Sequence, residues 1–284
     1  MSLFDPGEPP GQGRGEGLAA GFVRIALEIA YDGKGLSGFA AQPGRRTVAG
    51  LLEAALGKLV GEVKVSCAGR TDAGVHASAQ VVHFDTPEGG PSPTEFLRAV
   101  NRQLAPKIVA KRAALAPVGF HARHSAVLRR YRYGILACEV ADPMAANQRW
   151  FVPHHLDLAA MRTATYAILG ERDFTAFCRR PPGHEGPIMR RLHYARWSVV
   201  GAGLVDFELE ANAFCHQMVR ALVGTMVEVG RGRMDAAAVG RLARSGSRQG
   251  APTLAPAHGL CLVGVGYGTA DPFAGIDAPR ALLG

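Results

Sequence analysis

The stretch Gly69-Arg70-Thr71-Asp72-Ala73-Gly74-Val75-His76 holds the carboxylate best placed for chemistry. Apolar runs flank it, Val63 to Cys67 before and Ala79 to Phe84 after. Two glycines, a threonine and an aspartate between strand-like runs are what a tight turn uses. A carboxylate there either bonds its own backbone amides or, held ionised by a cation, serves as a nucleophile or base without a cofactor. Arg70 lies two residues away. Arg220, inside the apolar run Met218-Val219-Arg220-Ala221-Leu222-Val223, is the second candidate cation. An arginine in an apolar helix needs a counter-ion, and its planar fork binds a carboxylate at two points; the competing reading is a backbone contact near a helix bend. Tyr131 supplies an aromatic group. It alternates with arginines in Arg129-Arg130-Tyr131-Arg132-Tyr133. On a strand, that pattern offers guanidinium groups to phosphate and a ring to a base, or else forms an amphipathic strand with snorkelling arginines.

Other chemistries find less support. His121 and His124 are three apart, but no cysteine or carboxylate joins them at a metal-binding interval. No G-x-x-x-x-G-K-[ST] loop, no strand-borne G-x-G-x-x-G and no G-x-S-x-G elbow is present. The five cysteines, Cys67, Cys138, Cys178, Cys215 and Cys261, are scattered and never form C-x-x-C. This argues for reduced thiols in a cytoplasmic protein and against a disulfide framework.

The elements that must position these groups follow from periodicity. Val23, Ile25, Leu27 and Ile29 alternate with Arg24, Ala26, Glu28 and Ala30, predicting a half-buried strand. Thr47 is placed to cap a helix whose apolar stripe runs from Val48 to Leu59, and Phe96 to Leu104 carries another stripe. Strands are expected at Ile108–Leu115, Val127–Ala137, Leu192–Val200, Leu204–Ala211 and Leu260–Val265. Helices are expected at Leu156–Leu169, Phe214–Val229 and Asp235–Ala243. Each half reads strand, helix, strand pair, which suggests an α+β protein of two similar halves sharing one sheet. The expected division is a flexible N-terminal tail at 1–21, a first half at 22–125, a second at 126–269 and a weakly specified tail at 270–284.

The formal net charge of +8 favours a polyanionic partner such as nucleic acid. Arg123, in Phe120-His121-Ala122-Arg123-His124-Ser125-Ala126, and Arg129, Arg179 and Arg180 are candidate phosphate contacts. No apolar run is long enough to span a membrane.

Arg70-Thr71-Asp72-Ala73-Gly74-Val75-His76-Ala77 resembles the signature of the tRNA pseudouridine synthase A family. Further blocks resemble the family in the same order: Tyr31-Asp32-Gly33, Gln80-Val81-Val82-His83-Phe84, Phe120 to Ala126, Arg130-Tyr131-Arg132-Tyr133, Asn212-Ala213-Phe214 with Met218-Val219-Arg220, and Ala255-Pro256-Ala257 with Gly259-Leu260. Phe39-Ala40-Ala41 departs from the family's frequent Gly-Trp-Gln. The resemblance implies the pseudouridine synthase fold, with two halves of ferredoxin-like character joined in a mixed, largely antiparallel sheet flanked by helices. It implies isomerisation of uridine to pseudouridine at positions 38 to 40 of the tRNA anticodon stem-loop, a homodimer, no metal and no organic cofactor. Asp72 then matches the catalytic aspartate, Tyr131 the tyrosine stacking on the target base, and Arg220 the arginine paired with the aspartate. Arg70 matches the arginine that holds the flipped nucleotide or its phosphate. Two alternatives stand beside this: a non-catalytic basic RNA-binding protein, and a synthase with a different RNA target.

Overall fold

The structure is a computed structural model describing residues 17–180, 183, 185–249 and 253–277. The proposed tail at 1–21 falls mostly outside these residues, as do positions 278–284. The described residues form ten strands and five α-helices. Antiparallel pairing dominates, with a parallel pair beside it, giving the expected mixed α+β arrangement. Close packing divides the chain into two compact units.

The first unit comprises residues 17–127 and 262–277. It contains β1 (Phe22–Tyr31), α1 (Val48–Val60), β2 (Ser66–Cys67), β3 (His76–Pro87), α2 (Pro93–Leu104) and β4 (Ile108–Leu115). β1 lies between β4 and β3, antiparallel to both. Its alternation predicts one wet face, yet Ile25 to Ile29 are buried on both faces. The second face carries the small Ala26, against which Phe120, Ala122, Ala126, Tyr267 and Phe273 pack. Glu28 on that face is buried but pairs with Arg112 and Lys111, as a buried charge must. α1 starts where the sequence predicts, whereas α2 starts at Pro93, three residues before the expected stripe. Thr47 caps α1 by accepting from Gly50 N at 3.2 Å, and Ser92 with Glu95 forms a capping box on α2.

The second unit runs from Leu128 to Cys261. It contains β5 (Leu128–Ala137), β6 (Trp150–Val152), α3 (Leu158–Tyr166), β7 (Gly170–Asp173), β8 (Met189–Gly201), β9 (Leu204–Ala211), α4 (Met218–Gly230) and α5 (Ala236–Ser245). The sheet order is β5-β9-β8-β7, antiparallel, with β6 parallel to β5. α4 is buried along nearly its whole length. On the sheet, Trp197 stacks on Phe207 at 4.1 Å and donates its indole N–H to Thr165 of α3 at 3.1 Å.

The last strand, β10 (Leu260–Gly266), crosses from the second unit into the first between Cys261 and Leu262. The expected second half therefore ends earlier than residue 269, and the segment from 262 completes the first unit beside β3. The tail expected at 270–284 is described only as far as residue 277. Phe273 is buried, with the Arg112 guanidinium 4.6 Å from its ring centre, and Tyr267 donates to the Ala122 carbonyl at 2.8 Å.

Candidate active site

Asp72 lies in the turn between β2 and β3, half-buried, with Arg70 exposed beside it. The turn closes by a bond from Val75 N to the Asp72 carbonyl at 3.1 Å, and Gly74 takes φ +80° to allow it. The loop after β1 holds the turn from outside. Phe39 N donates to the Thr71 carbonyl at 3.0 Å, Gly74 N donates to the Leu36 carbonyl at 3.3 Å, and the Tyr31 and Thr71 hydroxyls bond at 2.8 Å. Gly33 is required here, because a Cβ would overlap the Val75 carbonyl. The strand expected from Val63 shrinks to Ser66–Cys67, since Val65 N is bonded by the Glu53 side chain at 3.0 Å instead of a neighbouring strand.

In the second unit Tyr131, Arg129 and Arg179 meet the segment Asn212–Gln217. The expected helix from Phe214 starts only at Met218. Gln217 adopts φ +66°, the one left-handed non-glycine residue among those described, and cannot continue a helix backwards. Asn212 turns the chain out of β9, its Oδ1 accepting from Ala213 N and Arg191 N at 2.8 and 3.0 Å. Phe214 is thereby freed to meet Tyr131 edge-on, 5.0 Å between ring centres at 85°. Tyr131 sits on β5 opposite Leu209 and is 7% exposed. Arg220 occupies the first turn of α4, not the middle of a helix, and is half-buried. Its Nε donates to the Ala255 carbonyl at 2.8 Å, and Ala255 N donates to the Arg220 carbonyl at 3.1 Å. Gly224 admits this strap, because a Cβ there would strike the Thr253 carbonyl. Burial pushes the neighbouring Tyr133 hydroxyl above its ordinary value, with Arg220 opposing the shift.

The arginines sort differently from expectation. Arg129 is buried, its guanidinium donating to the Asn212 carbonyl at 2.8 Å. Arg130 pairs with Glu210 directly across on β9, and Arg132 lies 3.5 Å from Asp206. The alternation on β5 therefore builds a cross-strand ion-pair face. Arg123, Arg179 and Arg180 are exposed; Arg180 also donates to the Glu185 carbonyl at 2.6 Å.

The expectation of reduced thiols throughout is corrected. Cys178 and Cys215 form a disulfide, with Cα atoms 5.8 Å apart across a sequence separation of 37. Spacing could not reveal it, because the fold, not local sequence, brings the two together. The bond ties Arg179 to the α4 approach, alongside a backbone bond from Arg179 N to the His216 carbonyl at 2.9 Å. Closing a loop of this length restricts the unfolded chain by about 4 kcal/mol in the chain-entropy model. Cys215→Ser is expected to lower unfolding stability by that order, measured by denaturant titration without reductant against the oxidised parent.

The histidines give a second test. His83 meets His121 edge-on and His121 meets His124 at a tilt, with ring centres 4.5 and 4.3 Å apart. His83 Nδ1 accepts from Ala122 N and His121 Nδ1 from Arg123 N, both at 3.1 Å. Burial, reinforced by the neighbouring His121 and by Arg24 and only partly opposed by Asp85, lowers His83 to about 3. Burial and His124 lower His121 to about 4. Both are depressed below the unfolded value, so the folded state binds fewer protons. Their stabilisation is full above about pH 6.5 and is lost as pH falls toward the folded values. Unfolding free energy should therefore drop between pH 6.5 and 5, approaching about 1.4 kcal/mol per pH unit for His83 alone. His83→Gln should flatten that slope in denaturant titrations. Among the described residues no group of three His, Cys, Asp or Glu is arranged to hold a metal, and no helix is long and apolar enough to cross a membrane.

Comparisons with known proteins show the family. The family model described as tRNA pseudouridine synthase matches residues 28–125 and 164–268, which include the Asp72 turn and the α4 approach. Among curated relatives, the tRNA pseudouridine synthase A of Frankia casuarinae is 42% identical, covering 88% of this chain and 91% of its own length. Those of Halalkalibacterium halodurans and Mycobacterium leprae are 39% and 40% identical, covering 84% and 89% of this chain and 90% and 92% of theirs. With the matched segments spanning both compact units, this chain belongs to the tRNA pseudouridine synthase family.

Proposed function

We propose that the protein isomerises uridine to pseudouridine at positions 38 to 40 of the tRNA anticodon stem-loop, acting as a homodimer with Asp72 as its catalytic carboxylate. The observation that carries this reading is the tethered turn: residues on both sides of Asp72 are hydrogen-bonded to the loop after β1, which holds the carboxylate's backbone in one place. The reaction must break the N1–C1′ glycosidic bond, rotate the base and rejoin it through C5, with the C5 proton lost and a proton taken up at N1. A stacked uridine hides those atoms, so the nucleotide must be flipped out, which costs a few kcal/mol. Tyr131 replaces the lost stacking, worth about 1–3 kcal/mol, with Phe214 bracing its ring. Asp72 attacks the nucleoside or removes a sugar proton; both routes use the same ionised oxygen. Arg220 is its counter-ion, and Arg70 holds the flipped nucleotide or its phosphate. Arg123, Arg179 and Arg180 contact phosphates, whereas the buried Arg129 is assigned to fixing Asn212.

The test is to incubate the purified protein with an unmodified tRNA transcript and map pseudouridine by carbodiimide adduct formation and primer extension. Stops at 38 to 40 are expected. Stops elsewhere would replace the assigned position, and binding without any modified base would favour a non-catalytic RNA-binding role.

A further inference from the structure

Gln80 on β3 has no place in the chemistry above, yet its environment is unusual. Its side chain is 0% exposed, and its Oε1 is buried without a hydrogen-bond partner. Its Nε2 donates to the Gly69 carbonyl at 2.7 Å. The direction of the amide is fixed by that carbonyl, because the reverse orientation would set two acceptors against each other. A buried half-satisfied amide is unfavourable compared with an apolar side chain of the same size, so the bond to Gly69 must do something a leucine or methionine cannot.

The register shows what that is. Ser66 pairs with His83 and Cys67 with Val82, and Ala68 N donates to the Val81 carbonyl at 2.8 Å. Continued by one residue, this register sets Gly69 opposite Gln80. There the chain leaves the sheet to make the Asp72 turn, and β2 has already ended. The Gln80 amide takes the place of the next backbone rung. It anchors the chain immediately before Arg70, as Phe39 N and the Tyr31 hydroxyl anchor it at Thr71. Arg70 is thus held between two fixed points, and Asp72 follows directly after the second.

We propose that Gln80 is a positioning residue, setting Arg70 and Asp72 through the Gly69 carbonyl. The proposal rests on the assignment of Asp72 as the catalytic carboxylate. Gln80→Met removes the amide at nearly constant volume; Gln80→Asn keeps an amide but shortens its reach by one methylene. Displacing reacting groups by a fraction of an ångström to an ångström costs up to roughly 100-fold in rate. Each variant is therefore expected to lose roughly 10- to 100-fold in kcat on tRNA transcript, with KM within about threefold. Asn should fail to rescue despite its chemical similarity. A merely structural role would lower the unfolding temperature and leave kcat at 25 °C unchanged. A folded Gln80→Met or Gln80→Asn protein with kcat within about twofold of the parent overturns the proposal. So does failure of both to fold, which would make Gln80 a core residue. Asp72→Asn is assayed alongside. Activity in that variant sinks the catalytic assignment, whereas an inactive Asp72→Asn beside an unimpaired Gln80→Met overturns the role of Gln80 alone.

Discussion

Asp72→Asn is expected to abolish turnover, by at least about a thousandfold, while leaving tRNA affinity nearly unchanged and the turn intact. The substitution is close to isosteric and removes only the charge. The contacts that hold the turn run through the backbone of Asp72, Gly74 and Val75 and the side chain of Thr71, so they survive it. Asparagine is also as compatible with turn geometry as aspartate. The single-turnover rate of pseudouridine formation and a filter-binding Kd on the same transcript separate the two effects. If the variant kept a tenth of the parent rate, another group would have to carry the chemistry. If it lost binding in parallel with rate, Asp72 would be a contact to the tRNA and not its catalyst.

Much of this site is legible in the sequence. Glycine, threonine and aspartate chemistry announces the turn, and the alternation of Ile25, Leu27 and Ile29 announces the strand beneath it. What the sequence hides depends on partners distant along the chain. Cys178 and Cys215 have no spacing that predicts their bond. The both-sided burial of β1 depends on Phe120, Tyr267 and Phe273 arriving from elsewhere in the chain. Phe214 has the right spacing for a helical stripe with Met218 and Leu222, and only the left-handed Gln217 shows why it lies in a loop against Tyr131. The arginines of β5 are ambiguous for a different reason. Whether a guanidinium faces phosphate or a carboxylate depends on the opposite strand, where Glu210 and Asp206 stand. Gln80 falls in a block that resembles the family, but its burial is hidden, because a polar residue in an apolar strand reads as an exposed position.

Arg220 tests whether the fork, and not only its charge, is needed. A cation in the first turn of a helix opposes the helix dipole, which favours anions there, and an anionic partner would offset this. The guanidinium does not swing freely, since Nε is held by the Ala255 carbonyl and the strap at 253–255 is bonded back to α4. Arg220→Ala should lower kcat by about 100- to 1,000-fold, the scale for losing one preorganised charged donor. Because Arg220 is only half-buried, stability should fall by about 1 kcal/mol, the value of the lost bond to Ala255, and not by the several kcal/mol of a buried ion pair. Arg220→Lys keeps the charge but can neither bond Ala255 in the plane of a fork nor present two parallel donors. Its rate should therefore lie nearer to the alanine variant than to the parent. Single-turnover rates and denaturant titrations on the two variants decide this. A lysine variant within about threefold of the parent rate would reduce the role of Arg220 to that of a point charge, and an alanine variant unchanged in both rate and stability would remove Arg220 from the site.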